Sequence, residues 1–196
     1  MPKISEAKRE ERRGEIMAAA LRCFSRNGYQ RTTMADIIAE SRLSAGAIYL
    51  YFPGKQELLK AVAERVLDDR RAELSAAGQA HVLSPAEIVR TLASGVRANA
   101  PLDVLIQTWG EATVDPELRT ILQGVLGRVR STVSTALVRW AHVHEAELGL
   151  PAEEWARAAT PILMSMIPGF ALQLTIVDDF DEEGFLGHLT AVLPHP

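Results

Sequence analysis

Apolar residues recur every three or four positions along most of this chain, and that spacing predicts a series of helices. Over residues 6–27 the apolar stripe contains Ile16, Ala20 and Phe24, and Gly28 is a typical helix end. No stretch alternates between apolar and polar residues over more than four positions. The predicted fold class is therefore all-α, with about nine helices.

Two short helices separated by a three-residue break follow this first helix. Thr33 and Asp36 have the spacing of a capping box at the start of the first short helix. Ser44 can cap the second, AGAIYLY, in which Ile48 and Phe52 lie four residues apart on one face. Two helices joined by so short a turn form the outline of a helix-turn-helix, with the second helix as the candidate for reading DNA.

Caps and prolines place the boundaries of the later helices. A long helix is predicted from Lys55 to about residue 77, with Gly78 ending it. Pro161 and Pro168 should bend a later helix without ending it, because the apolar stripe continues on both sides of each proline. The further predicted helices are 85–98, 102–113, 116–149, 151–177 and 182–193.

Charge is distributed unevenly between the two ends of the chain. The net charge of the 196 residues is −4. Residues 1–60 contain eleven Lys and Arg against seven Asp and Glu, whereas residues 61–196 contain ten against eighteen. This indicates a basic module attached to an acidic body, and a basic module can attract phosphate. The same pattern is also compatible with a solvated basic helix surface.

Composition excludes several classes of protein. A hydrophobic content of 47% supports a packed core. No apolar run of 18 residues is free of charge or punctuation, and the first residues do not form a signal peptide, so we expect a soluble cytoplasmic protein. The single cysteine, Cys23, excludes an internal disulfide and is predicted to lie in a helix core.

Residue patterns typical of enzymes and metal sites are missing from the sequence. It contains no glycine-rich phosphate loop, G-x-S-x-G elbow or H-E-x-x-H motif. His142 and His144 are two residues apart, so on a helix they point to different faces and make a poor metal pair. We therefore predict no catalytic residues, no metal and no cofactor.

Three motifs within residues 12–62 resemble the TetR family of bacterial transcriptional repressors: G-Y-x-x-T-T, S-x-G-x-I-Y-x-Y-F and F-P-x-K-x-x-L-L. Beyond about residue 80 the resemblance is limited to the helical layout. It implies a helix-turn-helix DNA-binding domain over residues 1–56 and a helical effector-binding and dimerisation domain over residues 57–196. It also implies a homodimer on a near-palindromic operator, released when a small molecule of unknown identity binds.

The predicted DNA contacts come partly from side-chain chemistry and partly from the family resemblance. Thr33 at a helix start offers a hydroxyl and a favourable dipole to a phosphate, and Gly46 allows close backbone approach. Tyr49 and Lys55 match family positions that contact DNA, whereas Tyr51 could instead pack on the first helix. The predicted DNA-contact residues are Thr32, Thr33, Arg42, Ser44, Ala45, Gly46, Ala47, Tyr49, Tyr51 and Lys55.

The recognition helix departs from the family pattern. Ala45 and Ala47 replace longer or hydroxylated side chains, and Leu50 replaces a residue that is often polar or aromatic. Base discrimination is therefore expected to depend on thymine methyl contacts and on DNA shape. Arg42 replaces the usual glycine of the turn, which would cost about 1 kcal/mol if positive φ is required there. A phosphate contact by Arg42 could offset that cost.

The body of the protein supplies candidates for a mostly apolar ligand pocket with a few polar anchors. For any single one of these residues, the alternative that it only packs in the core takes precedence over a ligand contact. They are Gln107, Thr108, Trp109, Glu111, Leu126, Arg130, Trp140, His144, Met164 and Phe170.

The last two helices are predicted to pack against their counterparts in a second copy, as a four-helix bundle. Small residues would let the helices approach closely, and large apolar residues flank them. The residues assigned to this interface are Ala158, Ile162, Ser165, Met166, Gly169, Leu172, Leu189 and Val192. An activator or an effector-independent regulator would share the same DNA-binding head, and an all-α enzyme or lipid carrier is the alternative that does not bind DNA.

Overall fold

The protein is described here from a computed structural model, which covers residues 5–99 and 102–195. These residues form ten helices, and none of them lies in a β-strand. The predicted all-α class is confirmed. The helices are α1 (Glu6–Asn27), α2 (Met34–Ser41), α3 (Ala45–Tyr49), α4 (Lys55–Ala80), α5 (Pro85–Asn99), α6 (Leu102–Ala112), α7 (Pro116–Val143), α8 (Glu145–Leu148), α9 (Ala152–Ile176) and α10 (Glu182–Val192).

The chain divides into two compact units. Unit 1 contains Met1–Arg65 and Asp103–Leu122, and unit 2 contains Val66–Leu102 and Gln123–Pro196. Unit 1 therefore consists of α1 to α3, the first turns of α4, nearly all of α6 and the start of α7. Residues 103–122 are remote in sequence from the first 65, so packing alone assigns them to unit 1.

The core of unit 1 is built on the predicted apolar stripe of α1. Ile16, Ala20 and Phe24 are fully buried. Cys23 lies among them, as predicted, and burial raises the pKa of its thiol above the usual value. The same cluster contains Ile37, Ile48, Phe52, Leu58, Leu59, Val62, Val104, Ala112, Leu118 and Leu122.

Local capping explains several helix ends. Thr33 and Asp36 form the predicted capping box of α2, in which Thr33 Oγ1 accepts from the Asp36 amide at 3.2 Å and Asp36 Oδ2 accepts from the Thr33 amide at 2.8 Å. Ser84 and Glu87 make the same reciprocal pair at α5, with distances of 3.3 and 2.8 Å. Gly28 ends α1 with a φ of 76°, a conformation that favours glycine.

Two predicted helix boundaries are wrong. α4 continues past Gly78, because one glycine costs a helix only about 1 kcal/mol. The Gly78 carbonyl there accepts a hydrogen bond from Arg139 Nη1 at 2.9 Å. The helix predicted over 116–149 ends instead at Val143. His144, with φ −113° and ψ 18°, leaves the helical conformation and separates α7 from the short α8.

The core of unit 2 includes the inward face of α9. This helix runs without interruption through Pro161 and Pro168, as predicted. Leu163, Ile167 and Phe170 lie on its buried side and belong to the core cluster of unit 2. The continuous apolar stripe therefore holds α9 together although each proline removes one backbone donor.

By length and composition alone, α9 is also apolar enough to cross a membrane. It is the single helix of this kind in residues 5–99 and 102–195. The test is equally satisfied by a core helix, and the packing of its inward face in unit 2 is typical of one.

Candidate nucleic-acid interface

The N-terminus of α2 places Thr33 at the surface of unit 1. Its hydroxyl donates to Asp36 Oδ2 at 2.7 Å. The Thr33 hydroxyl and amide together lower the pKa of the Asp36 carboxyl, which therefore stays charged. The predicted phosphate contact of Thr33 remains a prediction, and it would have to form beside this carboxylate.

Thr32 does not have the role that we predicted from the sequence. Its side chain is buried, and its hydroxyl lies 2.7 Å from the Gly28 carbonyl and 3.1 Å from the Cys23 carbonyl. A hydroxyl enclosed in this way has no path to a phosphate. Thr32 instead fixes the turn between α1 and α2, and so sets the position of the α2 N-terminus.

Ion pairs link α1 to α2 within the motif. Glu40 on α2 accepts from Arg22 Nε at 2.7 Å and from Arg26 Nη2 at 3.0 Å. The two guanidinium groups lower the pKa of the Glu40 carboxyl. These exposed pairs contribute to orientation more than to stability.

The second helix of the motif, α3, is shorter than the predicted seven residues and ends at Tyr49. The Ser44 hydroxyl caps it by accepting from the Ala47 amide at 3.2 Å. Ile48 and Phe52 point into the core, as predicted, and Tyr51 packs partly against the same core. This packing agrees, at least in part, with the alternative that Tyr51 packs inside the protein.

The outward face of α3 is small and nearly free of hydrogen-bonding side chains. Ala45, Gly46, Tyr49 and Leu50 are exposed, and Ala47 is half-buried. Among them, only Tyr49 carries a polar side-chain atom. The predicted recognition surface is therefore exposed, but it offers one hydroxyl and otherwise methyl groups and backbone.

Arg42 adopts the left-handed conformation, so the condition considered for this turn position is met. Its φ is 58° and its ψ 22°, and within the described residues it is the one non-glycine residue with positive φ. It caps the C-terminus of α2, and its amide donates to the Ala39 carbonyl at 3.4 Å. Strain at an exposed arginine in the turn of the motif is consistent with a functional side chain.

Replacing Arg42 with glycine should stabilise the protein and weaken its binding to DNA. Glycine relieves the strain of the left-handed conformation, about 1–2 kcal/mol, but it also increases the entropy of the unfolded chain. The free energy of unfolding is therefore expected to rise by about 0.5–1 kcal/mol. Loss of one phosphate contact per protomer should reduce the salt slope of DNA binding by about 1 per protomer. Thermal unfolding and anisotropy titrations at several salt concentrations measure the two effects.

The Arg42→Ala variant is the matched control. It removes the guanidinium but keeps a side chain in the left-handed conformation, so DNA binding should weaken without any gain in stability. An Arg42→Gly protein that binds DNA as tightly as the unmodified protein, with the same salt slope, would exclude a phosphate contact.

Lys55 at the start of α4 points towards the turn between α1 and α2. Its Nζ donates to the Tyr29 carbonyl at 2.8 Å and to the Gln30 carbonyl at 3.1 Å, and it lies 4.4 Å from the centre of the Tyr29 ring. Burial lowers the pKa of the Lys55 ammonium, and burial also raises the pKa of the Tyr29 phenol to about 12. Lys55 thus clamps the turn, and its predicted phosphate contact would have to compete with two carbonyls.

Part of the predicted ligand site belongs to unit 1 and reaches the same turn. Gln107 on α6 lies close to Gly28. A Cβ atom added to Gly28 would be 2.7 Å from Gln107 Oε1. Glu111, one turn further on, interacts with Gln30 and Lys55, while burial raises the pKa of its carboxyl. The sequence gives no sign of this role, because the contacts join segments about 80 residues apart.

Two further candidate ligand residues on α6 have structural roles. The Thr108 side chain is buried, and its hydroxyl donates to the Val104 carbonyl at 2.6 Å. Trp109 packs against the core of unit 1. The Thr108 hydroxyl is therefore not free to anchor a ligand in this conformation, whereas the ligand contact of the partly buried Trp109 remains a prediction.

The remaining six ligand candidates lie in unit 2. Trp140 is buried and stacks on His144 at 4.5 Å between ring centres, whereas Phe170 is enclosed by two other phenylalanine rings. Met164 packs partly against the same core as Phe170. Arg130 is exposed and Leu126 is half-buried on α7. Phe170 therefore contributes to core packing, and its contact with a ligand remains a prediction.

The predicted dimer residues on α9 occupy one exposed face. Ala158, Ile162, Ser165, Gly169 and Leu172 are all exposed and follow one another at helical spacing. This face has no charged side chain, since α9 contains none after Arg157.

One of the other dimer assignments needs correction. Leu189 is buried in the core of unit 2, because its side of α10 faces α5 and α9 within the same chain. Met166 is half-buried and packs against that core. Val192, by contrast, is strongly exposed on α10.

Comparison with known families identifies the class of this protein. A family described as "Bacterial regulatory proteins, tetR family" matches residues 16–62, and "BetI-type transcriptional repressor, C-terminal" matches residues 86–195. The chain belongs to the TetR family. It is therefore a helix-turn-helix transcriptional regulator that binds DNA, and not an enzyme.

Two bacterial relatives illustrate the range of similarity. The uncharacterized HTH-type transcriptional regulator YfiR of Bacillus subtilis (strain 168) is 32% identical over 116 residues, covering 55% of this chain and 57% of YfiR. The HTH-type transcriptional regulator BetI of Burkholderia mallei (strain NCTC 10229) is 28% identical over 163 residues, covering 78% of this chain and 81% of BetI. The chain thus spans little more than half of YfiR.

Solved structures of TetR-like regulators share the fold. A transcriptional regulator from Saccharomonospora viridis in complex with choline is 23% identical, with a TM-score of 0.66 over 93% of this chain and 95% of that one. FadR from Bacillus subtilis in complex with stearoyl-CoA is 17% identical, with a TM-score of 0.68 over 92% and 99%. At these identities the likeness concerns the fold.

Proposed function

We propose that this TetR-family regulator is a homodimeric repressor that a small molecule releases from its operator. The observation that carries repression is the match of residues 86–195 to the C-terminal part of BetI-type repressors. Control by a ligand is supported by two structures of the same fold, one with choline and one with stearoyl-CoA. Since the target is bacterial DNA, we place the protein in the cytoplasm.

In this proposal residues 1–56 form the DNA-binding domain, and residues 57–196 bind the effector and form the dimer. The contacts of Gln107 and Glu111 with the turn before α2 support a link between the two functions. An effector that binds one conformation more tightly than the other shifts the population towards it. The recognition helices of a dimer must lie about 34–36 Å apart to enter successive major grooves, so a small change in their separation lowers affinity.

Dimerisation is proposed to use the uncharged outward face of α9 together with the exposed part of α10. An exposed apolar face of this length is typical of an interface. Alanine, serine and glycine along it allow close approach of a second helix, which supports helix-on-helix packing in a symmetric dimer.

Replacing Ile162 with glutamate should convert the dimer to monomers. Ile162 is 64% exposed in the single chain, so a carboxylate there is tolerated by the isolated protomer but would be desolvated in the dimer. The dissociation constant is expected to rise at least about 100-fold, which corresponds to roughly 3 kcal/mol. Sedimentation velocity over a range of protein concentrations measures it.

Val143→Glu is the matched control, because Val143 is 65% exposed and lies in unit 2 outside the proposed interface. It should remain dimeric at concentrations where Ile162→Glu dissociates. Equal dissociation of both variants would point to general destabilisation, and two stable dimers would exclude the α9 face.

The function as a whole is tested by selecting bound sites from random duplex DNA, with and without candidate effectors such as choline and a long-chain acyl-CoA. A two-fold symmetric site is expected, with an affinity that falls steeply with salt. A salt slope near zero, or the absence of any selected site, would refute DNA reading by this basic unit.

The response to effectors separates the alternatives. Release of DNA by one of the compounds supports an inducible repressor. Tighter binding with the effector, together with increased transcription from a promoter carrying the site, would identify an activator. Affinity that no compound changes would favour an effector-independent regulator.

A further inference from the structure

Leu50 is the most prominent apolar group on the outward side of the helix-turn-helix. It directly follows α3, keeps a helical conformation with φ −66° and ψ −28°, and is 73% exposed. Single exposed leucines are common on protein surfaces, so exposure alone decides nothing. The position of Leu50 is what indicates a role in DNA binding, because Leu50 shares the outward face of the DNA-reading helix with Ala45, Gly46 and Tyr49.

The neighbours of Leu50 leave little alternative chemistry for reading bases. Ala45 and Gly46 have no polar side-chain atoms, and Ala47 is half-buried. Tyr49 has one hydroxyl, which can bond to a phosphate as readily as to a base. None of these side chains can make the bidentate hydrogen bonds by which arginine reads guanine or asparagine reads adenine.

The major groove contains one apolar group that differs between base pairs, the 5-methyl group of thymine. An isobutyl side chain that protrudes from the recognition helix is complementary to that group, since contact removes apolar surface of both from water. We propose that Leu50 is a specificity-determining residue that contacts a thymine methyl in each half-site. This inference rests on the DNA binding of the family and deepens the proposed function.

If Leu50 contacts a thymine methyl group, the affinity for the duplex should depend on that methyl group. The probe is the highest-affinity duplex selected by the unmodified protein, together with copies in which one thymidine per half-site is replaced by deoxyuridine. Uracil pairs as thymine does and lacks only the methyl group. At one thymine position per half-site, the replacement should weaken binding about 3- to 10-fold per half-site, as expected for one buried methyl group.

Leu50→Ala provides the second side of a double-mutant cycle. The variant should weaken binding to the thymine duplex by a similar factor and should be insensitive to uracil at that position. Its fold should be unaffected, because the side chain is exposed and alanine is a good helix former. Val114→Ala is the matched control, since Val114 is 81% exposed in unit 1 but lies between α6 and α7. That variant should keep both the affinity and the uracil penalty.

Each outcome of the cycle has one meaning. A uracil penalty that persists in Leu50→Ala would assign the methyl contact to another residue and overturn the inference. The absence of a uracil penalty at every thymine would show that methyl groups are not read. If the unmodified protein selects no DNA site, the proposed function itself fails, which is a distinguishable result.

Discussion

Leu118→Ala is expected to destabilise the DNA-binding unit by about 2–5 kcal/mol, although residue 118 lies far beyond the helix-turn-helix in sequence. Leu118 is buried in the core that also contains Phe24, Ile48 and Phe52. Removing three carbon atoms there leaves a cavity that the surrounding helices fill only partly. Circular dichroism during thermal unfolding should show a lower midpoint for the transition of unit 1.

The same substitution should weaken DNA binding, because part of the population would have an unfolded reading head. Bound DNA should partly restore the stability of the variant, since ligand binding to the folded state opposes unfolding. Val114→Ala, four residues earlier and exposed, is the control and should change neither property. A Leu118→Ala protein that melts and binds DNA like this control would refute the assignment of residues 103–122 to unit 1.

Tyr49→Ala is expected to abolish specific operator binding and to leave the dimer intact. Tyr49 is 49% exposed on the outward face of α3 and carries the one polar side-chain group there. Loss of a contact in both half-sites should lower affinity about 100-fold or more, towards the level of non-specific binding. Fluorescence anisotropy with the selected duplex measures the loss, and sedimentation shows whether the protein is still dimeric.

Tyr49→Phe separates the hydroxyl from the ring. If the hydroxyl bonds to a phosphate or a base, the phenylalanine variant should lose most of the affinity that the alanine variant loses. If the ring makes the contact, phenylalanine should restore it. Affinity that stays unchanged in Tyr49→Ala would remove Tyr49 from the interface.

The helix ends show how far local chemistry can be read from sequence. The capping box of Thr33 with Asp36 and the end of α1 at Gly28 were predicted correctly. Each depends on residues that are at most a few positions apart. The helix-turn-helix is a combination of such local features, and for that reason it could be recognised early.

The wrong residue assignments concern side chains that were expected to be exposed and are instead buried by residues remote in sequence. Thr32 and Leu189 were assigned to surfaces, and both are buried by segments whose packing the sequence does not state. The phosphate contact of Lys55 remains a prediction, but the sequence did not indicate that its ammonium donates to two backbone carbonyls of the preceding turn. Helical periodicity identifies an apolar face, but it does not identify the element that covers that face.

The sequence alone determined that this protein is all-α, that it begins with a helix-turn-helix, and that its recognition helix is small and apolar. Those properties follow from spacing, capping and composition, which act over a few residues. Only the tertiary structure decided that α6 and the start of α7 complete the DNA-binding unit, and that Leu50 protrudes from it while Thr32 does not. The composition of this unit and the exposure of its side chains depend on contacts between segments up to about a hundred residues apart. Such contacts are determined by packing of the whole chain.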